Sequence, residues 1–227
     1  MFTNEDLTKL IDYLYSIKDI KYKEFNDKII KTNYETIGVR MPTLKSISKK
    51  ISKYDLEGFI KIGIKSNIYE ILMLVGLVIS NIKDINIYDV YINEFVKVMD
   101  SWCFTDTISK NSKVLNTTNI NYAYSFIKSE SEFTKRYGYV LILDHYINKD
   151  NLEVIFNLIK KEKVHSYYVD MAISWLLSEL YIKYKSETYS FISNTKLSDF
   201  ILKMTIRKIK DSYRVSAKDK EILNELV

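Results

Sequence analysis

Trp102 and Asp106, in the segment Ser-Trp-Cys-Phe-Thr-Asp, are the pair of residues in this sequence that could most directly do chemistry. They are four residues apart within a helical pattern, so both side chains should project from one helix face about one turn apart. The face of an indole ring attracts a flat cationic group, and a carboxylate stabilises positive charge that develops nearby. The pair therefore suits cleavage of a glycosidic bond whose leaving base is already positively charged.

The composition indicates a helical globular protein. The 227 residues include only 5 glycines and 1 proline, too few for the frequent turns that an all-β fold needs. Hydrophobic residues make up 47% and charged residues 28% of the chain, which is typical of a folded, water-soluble protein. The single Cys103 excludes an internal disulfide and fits a reducing compartment. One cysteine and two histidines leave no ligand set for a structural zinc ion, and no cofactor is expected.

Neither a secretion signal nor a membrane span is predicted. The N-terminal residues are polar, and the most apolar run, from Ile71 to Ile79, is too short to cross a bilayer. We therefore expect a cytoplasmic protein without a membrane partner. Its net charge of +5, from 34 basic and 29 acidic residues, permits a polyanionic partner without requiring one.

Helical periodicity extends over almost the whole chain. Thr3 should cap the first helix, and Pro42 should open the third, where its missing N–H costs nothing. The first helix should bury Leu7, Leu10, Ile11 and Leu14, and the third Leu44, Ile47 and Ile51. Further helices are predicted at 17–30, 55–65, 68–80, 86–100, 102–115, 119–129, 132–147, 150–161, 166–184, 186–193, 197–211 and 216–226.

The spacing of these helices predicts the architecture. Successive pairs recur at about the spacing of HEAT-type units, although no clean sequence repeat is present. Antiparallel pairs stacked into a curved, all-α solenoid would create a concave groove for an extended ligand. A compact helical bundle fits so many short helices less well. No Pro-rich or Ser/Gly-rich linker interrupts the chain, so residues 1–227 are expected to form a single domain.

Several catalytic motifs are absent from the sequence. It contains no Gly-rich phosphate loop, no dinucleotide fingerprint and no Gly-x-Ser-x-Gly nucleophile elbow. His145 and His165 lack metal-ligand spacing. Carboxylate, arginine and indole side chains therefore remain as the groups that could carry a reaction.

Five segments occur in an order that resembles a known family. They are Gly38-Val39-Arg40-Met41-Pro42-Thr43-Leu44, Ser101-Trp102 through Asp106, Lys135-Arg136-Tyr137-Gly138, the run from Tyr167 to Glu179, and the run from Ile206 to Val215. The series resembles the AlkD-like DNA alkylation repair family over nearly the whole chain. Members of that family are HEAT-like helical solenoids. Characterised members excise cationic alkylated purines, such as 3-methyladenine and 7-methylguanine, from duplex DNA.

The resemblance implies a role for four residues. Trp102 and Trp175 match the two active-site tryptophans of the family, Asp106 its catalytic carboxylate, and Arg136 the arginine beside them. In the family these residues line a cleft on the concave surface, against the sugar-phosphate backbone of the lesion, so that the damaged base need not be flipped into a pocket. Double-stranded DNA with alkylated bases is then the expected partner of a monomeric protein. The planar fork of Arg136 would suit a phosphate.

Basic residues form two stripes. Lys203, Arg207, Lys210 and Arg214 follow at intervals of four, three and four, which gives one face if the helix persists to Arg214. Lys45, Lys49 and Lys53 give another. The predicted DNA-binding residues are Lys45, Lys49, Lys110, Lys135, Lys203, Arg207, Lys210 and Arg214. A solvated helix face would produce the same pattern.

Each candidate site residue has a structural alternative. Trp175 lies in an apolar run typical of a core helix, and Trp102 could belong to core or surface. Asp106 could cap a helix end, and Arg136 could pair with Glu132 on its own helix. The sequence thus predicts a monofunctional DNA glycosylase. The alternatives are a non-catalytic protein that binds damaged or branched DNA, and a helical scaffold for protein partners.

Overall fold

The computed structural model describes residues 1–163 and 165–226, and in this part of the chain the regular structure is helical. Within these ranges no β-strand forms, although Glu35 and Ile68 make an isolated β-bridge. The predicted all-α class is confirmed. None of the described helices is both long enough and apolar enough to cross a membrane.

The chain divides into two compact units, of which the first is Met1–Thr118 and the second begins at Asn119. The first unit contains α1 Asn4–Ser16, α2 Ile20–Ile30, α3 Met41–Tyr54, α4 Leu56–Gly63, α5 Tyr69–Ser80, α6 Ile85–Phe95 and α7 Trp102–Asn111. The second contains α8 Asn121–Ile127, α9 Glu132–Leu141, α10 Leu152–Lys161, α11 Tyr167–Lys183, α12 Lys185–Asn194, α13 Asp199–Asp211 and α14 Ala217–Ile222. Short 3₁₀ helices at Val96–Val98, Lys113–Thr117 and Leu223–Leu226 and a π-helical turn at Ile142–Tyr146 complete the described elements.

Helix α5 is the core of the first unit. All of its residues are buried, as expected for a helix that is apolar on every side, and it packs against α3, α4, α6 and α7. Gly76 lets α5 approach α7 closely, because a Cβ atom at this position would lie 2.4 Å from Ile108 Cδ1. The position of α7 is therefore set by a tightly packed contact with the centre of the unit.

Helix α11 has the corresponding role in the second unit, where it packs against α9, α12 and α13. Tyr181 near its C-terminal end joins a buried cluster with Ile206, Ile209, Val215 and Leu223. This cluster connects α13 and the C-terminal segment to α11. Since Trp175 lies on α11, the same packing fixes the helix that carries one of the predicted site residues.

The first helices begin close to where the sequence predicts. Thr3 Oγ1 accepts a hydrogen bond from the Asp6 N–H at 3.2 Å, and the Asp6 carboxylate accepts one from the Thr3 N–H at 2.9 Å, which completes a capping box. Leu14 is fully buried, whereas Leu7, Leu10 and Ile11 are half-buried. Helix α3 begins one residue earlier than predicted, with Pro42 in its first turn.

Several predicted helices are shorter in the structure, and three in the first unit show why. The helix predicted from residue 17 starts at Ile20, because the Asp19 side chain caps it by accepting from the Tyr22 N–H at 2.9 Å. The helix predicted at 86–100 gives way to a 3₁₀ turn after Phe95. Helix α7 ends at Asn111, and the N–H of Ser112 then bonds back to the carbonyl of Ile108 at 3.1 Å. The 3₁₀ helix Lys113–Thr117 completes the predicted span.

Candidate active site

The N-terminus of α7 is attached to the C-terminus of α2. The last carbonyl groups of a helix have no partner within it, and here two of them are used from outside. Ser101 Oγ donates to the Ile30 carbonyl at 2.5 Å, and Trp102 Nε1 donates to the Ile29 carbonyl at 3.2 Å. Ser101 is also the N-cap of α7. The indole of Trp102 is therefore held by one edge and is partly exposed.

Asp106 lies one turn after Trp102 on α7 and is also partly exposed, as the spacing predicts. Thr105 Oγ1 lies 2.8 Å from Asp106 Oδ1 and 2.9 Å from the carbonyl oxygen of Trp102. A hydroxyl has one proton, so Thr105 donates to one of these acceptors at a time. Because Thr105 is fully buried, its hydroxyl is a fixed neighbour that restrains the Asp106 carboxylate.

Cys103 faces a polar contact in the interior of the first unit. The hydroxyl of buried Tyr69 forms a hydrogen bond with the Cys103 side chain. Burial, followed by the neighbouring Cys103 thiol, raises the pKa of Tyr69 far above its usual range, so its hydroxyl keeps its proton. This contact between partly exposed Cys103 and buried Tyr69 is a second attachment of α7 to α5.

The Gly-Val-Arg-Met-Pro segment is a structural junction between α2 and α3. Buried Glu70 of α5 accepts hydrogen bonds from the backbone N–H groups of Ile37, Gly38 and Val39 at 2.9, 2.7 and 3.3 Å. Gly38 has φ +96°, and a Cβ atom there would lie 2.6 Å from the Cβ of Lys23. Glycine is required by both the backbone conformation and the close approach of α2.

Arg40 follows this junction and fastens it to α2. Its Nε and Nη2 donate to Asp19 Oδ2 at 3.1 and 2.8 Å, and its guanidinium lies 4.8 Å from the centroid of the Tyr22 ring. The hydrogen bond from the Tyr22 N–H, followed by the Arg40 guanidinium, lowers the pKa of Asp19. This part of the motif therefore supports α2, on whose last carbonyls Trp102 and Ser101 rest.

Trp175 lies in the second unit, at a surface depression of about 310 Å³. Trp175 is partly exposed, although its neighbours on α11 are buried. The alternative that Trp175 is simply a core residue therefore does not account for its whole side chain. Glu179, Lys208, Asp211 and Arg214 also line the depression. Part of the Trp175 side chain can therefore reach a ligand.

Arg136 is buried, with 5% of its surface exposed, and it ties α9 to the start of α11. Its Nη1 donates to the Tyr168 carbonyl at 2.7 Å, while the Glu132 carboxylate accepts from the Tyr168 N–H at 2.9 Å. Both side chains thus bind the first turn of the helix that carries Trp175. A phosphate contact would need an accessible guanidinium, so this burial argues against that predicted role and favours a positioning role.

Lys135 is also buried, in contrast to the exposed phosphate contact that the sequence predicts. Its Nζ lies 2.9 Å from Glu162 Oε1, and the Tyr139 hydroxyl donates to Glu162 Oε2 at 2.9 Å. Burial, followed by the Glu162 carboxylate, raises the pKa of Tyr139 well above its usual range. The Lys135 ammonium is thus occupied by a buried ion pair, and the geometry argues against DNA binding by this residue.

The predicted stripe on α13 is interrupted, because the helix ends at Asp211 and Ser212 caps it. Arg214 lies beyond that end and forms a two-pronged ion pair with Glu179, at 3.0 and 2.5 Å. Lys210 donates to Asn224 Oδ1 and is half-buried. Lys203 and Arg207 are exposed on α13, as are Lys45 and Lys49 on α3 and Lys110 on α7.

The structure shows contacts of several residues that the sequence did not predict. Thr105 was not predicted to restrain Asp106, and the contact of His165 Nδ1 with Asp170 Oδ1 at 3.0 Å was not foreseen. Lys83 and Lys113 were also missed; both line a depression with Lys45 and Lys49. Lys83 follows the helix predicted at 68–80, but Lys113 lies within the helix predicted at 102–115, and its place beyond a helix end is visible only because α7 ends at Asn111.

The predicted site residues are divided between the two units. Trp102 and Asp106 lie in the first and Arg136 and Trp175 in the second, so their convergence on one cleft stays a prediction. The fold and these residues define a class: all-α proteins that present an indole and a carboxylate on one face of a helix. The chain belongs to the family described as DNA alkylation repair enzyme, which it matches over residues 10–209.

The family match covers parts of both units. A search of curated proteins found no match. Membership of the family supports an enzyme with a role in DNA repair, and therefore DNA binding.

Proposed function

We propose that this protein is a monofunctional DNA glycosylase that hydrolyses the N-glycosidic bond of cationic N3- or N7-alkylated purines in duplex DNA. The observation that carries the proposal is the pairing of Trp102 and Asp106 on one partly exposed face of α7, in a chain of the DNA alkylation repair enzyme family. Trp102 is held by its hydrogen bond to the Ile29 carbonyl and Asp106 by its contact with buried Thr105, and a site preorganised for charge stabilisation requires such restraint.

The chemistry of the substrate determines what the protein must supply. Alkylation at N3 or N7 makes the purine cationic, so the base leaves as a neutral molecule with the electrons of the glycosidic bond. Little protonation of the leaving group is then needed. The enzyme has to stabilise the oxocarbenium-like sugar and hold the water that attacks it.

In this proposal Asp106 performs both tasks. Its negative charge stabilises the sugar cation, and its oxygens accept a hydrogen bond from the attacking water, whose excess proton passes to the carboxylate or to solvent. The ring faces of Trp102 and Trp175 form walls that favour positive charge. Arg136 acts as a positioning residue, because it holds the backbone at Tyr168 two turns before Trp175. Neither a metal ion nor an organic cofactor takes part.

The decisive experiment is release of 7-methylguanine from duplex DNA under single-turnover conditions, with wild-type protein and Asp106→Asn. The substitution keeps the shape of the side chain and removes its charge. We expect excision to fall by roughly two to three orders of magnitude, the scale on which one electrostatic stabiliser acts, with little change in DNA affinity. Asp12→Asn, the same change on the exposed surface of α1, is the matched control and should retain full activity.

The same experiment separates the two DNA-binding hypotheses. A wild-type protein that binds the duplex but releases no alkylated base would reject the glycosylase and leave a non-catalytic binder of damaged or branched DNA. Equal excision by the wild-type protein and Asp106→Asn would instead remove Asp106 from the mechanism.

A further inference from the structure

Four lysines surround one depression of about 570 Å³ in the first unit. Lys45 and Lys49 project from α3, Lys83 follows the end of α5, and Lys113 follows the end of α7. The apolar part of the lining comes from Leu77, Ile82 and Val114. The depression thus collects basic side chains that lie far apart in the sequence, from elements whose packing brings them together.

No carboxylate lines this depression, and in the part of the chain that the structure describes none of the four lysines forms an ion pair. Lys83 also lines a neighbouring depression, where Asp55, Glu57 and Asp84 are found. Some other surface lysines of the first unit do have a carboxylate partner: Lys9 pairs with Glu5 at 2.7 Å and Lys97 with Glu94 at 2.7 Å. Ammonium groups that share a concave surface repel one another, so a bound anion would stabilise this arrangement.

Serine and asparagine side chains accompany the lysines. Ser48, Ser80, Asn81 and Asn111 also line the depression. Asn81 Nδ2 donates to Ser52 Oγ at 3.1 Å, and Asn111 Nδ2 donates to the Thr107 carbonyl at 2.6 Å, so both amides are held in place. The buried hydroxyls of Ser48 and Ser80 donate to the carbonyls of Lys45 and Gly76, so lysine and asparagine are the side chains here that can donate to a phosphate.

The position on α7 relates the depression to the candidate active site. Asp106 and Asn111 lie on the same helix, and five residues of α-helix correspond to about 7.5 Å along its axis. Phosphates recur along each DNA strand about every 3.4 Å of duplex axis. A strand that follows α7 from Asp106 towards Asn111 would bring further phosphates to this depression.

We propose that Lys45, Lys49, Lys83 and Lys113 form one phosphate-binding site that holds the DNA strand next to the alkylated nucleotide. DNA as the ligand rests on the proposed function, whereas the site itself rests on the geometry and charge of the depression. The new elements are Lys83 and Lys113, and the combination of the four lysines into a single site. Exposed Lys110 lies one turn after Asp106 on α7 and directly precedes Asn111, which lines the depression.

A structural role for two of these lysines makes a different prediction. Lys83 and Lys113 lie just beyond the C-terminal ends of α5 and α7, where a cation also stabilises a helix through its dipole. If this were their function, neutralising them would lower the melting temperature and leave DNA binding unchanged. If they bind phosphate, DNA affinity would fall while the melting temperature stays nearly constant.

The test is the salt dependence of binding to an undamaged duplex, measured by fluorescence anisotropy with Lys83→Gln/Lys113→Gln. Each phosphate contact contributes about 0.9 to the slope of log K against log salt. We expect the double variant to lose about two units of slope and at least tenfold in affinity at low salt. Lys61→Gln/Lys97→Gln is the matched control, with the same charge change at two lysines that have carboxylate partners. Lys83→Arg/Lys113→Arg should retain wild-type binding.

The outcomes distinguish this site from the proposed function. An unchanged slope in the folded double variant overturns the phosphate site, even if the wild-type protein excises 7-methylguanine. An equal loss of slope in the control variant also overturns it, because the effect would then follow net charge. A specific loss of slope supports the site even if no base is released, in which case only the glycosylase proposal fails.

Discussion

The contact between Thr105 and Asp106 makes it possible to separate two contributions of Asp106 to the proposed reaction: the charge of its carboxylate and the position in which that carboxylate is held. The buried hydroxyl of Thr105 lies 2.8 Å from the Asp106 carboxylate. Thr105 does not belong to the four-residue interval that places Trp102 and Asp106 on one helix face. Hydrogen bonds to charged groups are worth about 1.5–3 kcal/mol, and a misplaced catalytic group reacts more slowly. Thr105 is therefore a positioning residue in the proposed mechanism.

Replacing Thr105 by valine keeps the shape of the side chain and removes the hydroxyl. We expect single-turnover excision to fall about tenfold, less than for Asp106→Asn, because the carboxylate remains but is less restrained. Thr105→Ser should restore activity, and Thr107→Val on the same helix should have little effect. If Thr105→Val excises at the wild-type rate, or if its activity falls only in proportion to its loss of folded protein, the positioning role is wrong.

At the scale of single residues, the sequence predicts which residue types could act and how they are spaced along a helix. It does not predict the contacts that their side chains make with distant parts of the chain. The interval of four residues placed Trp102 and Asp106 on one helix face, as the structure has them. It could not predict that Trp102 Nε1 would bond to the Ile29 carbonyl, since that contact joins residues 73 positions apart. For the same reason the burial of Arg136 and Lys135 was not foreseen. Each has a partner on another element, and a charged residue is exposed by default.

At the scale of elements, helix ends decide which basic residues can act together. Periodicity placed the helices, but α13 ends at Asp211, where Ser212 is the C-cap, and Arg214 beyond this end pairs with Glu179. Helical periodicity alone would extend the basic stripe past the end of α13 to Arg214. Lys203 and Arg207 remain as an exposed pair, one turn apart on α13.

Charge reversal of this pair tests whether α13 contacts DNA. We expect Lys203→Glu/Arg207→Glu to weaken binding of every duplex sequence and to reduce the salt slope by about two units, because phosphate contacts carry no sequence information. Lys160→Glu/Lys161→Glu makes the same charge change on exposed residues of α10. The two double variants should differ clearly in affinity. Equal affinities would remove α13 from the DNA interface.

At the scale of the whole molecule, the question is whether residues from the two units act in one reaction. The match covers residues 10–209, whereas the chain forms one compact unit up to Thr118 and another from Asn119. The proposed reaction needs Asp106 from the first and Trp175 from the second. Helix periodicity predicts the elements within each unit, because it depends on local burial. It does not determine which surface residues of two units act together, since that depends on contacts outside any single helix.

A double-mutant cycle between the units tests whether they share one active site. If Asp106 and Trp175 act on the same nucleotide, Asp106→Asn and Trp175→Phe should be non-additive in single-turnover excision, with a coupling of at least about 0.5 kcal/mol. The matched control is Asp106→Asn with Phe191→Leu. Phe191 is an aromatic residue of the second unit that stacks on Phe156, at a depression distinct from that of Trp175. That pair should be additive. Additive effects in both cycles would mean that Trp175 does not act with Asp106, and the proposed chemistry would have to be built from α7 alone.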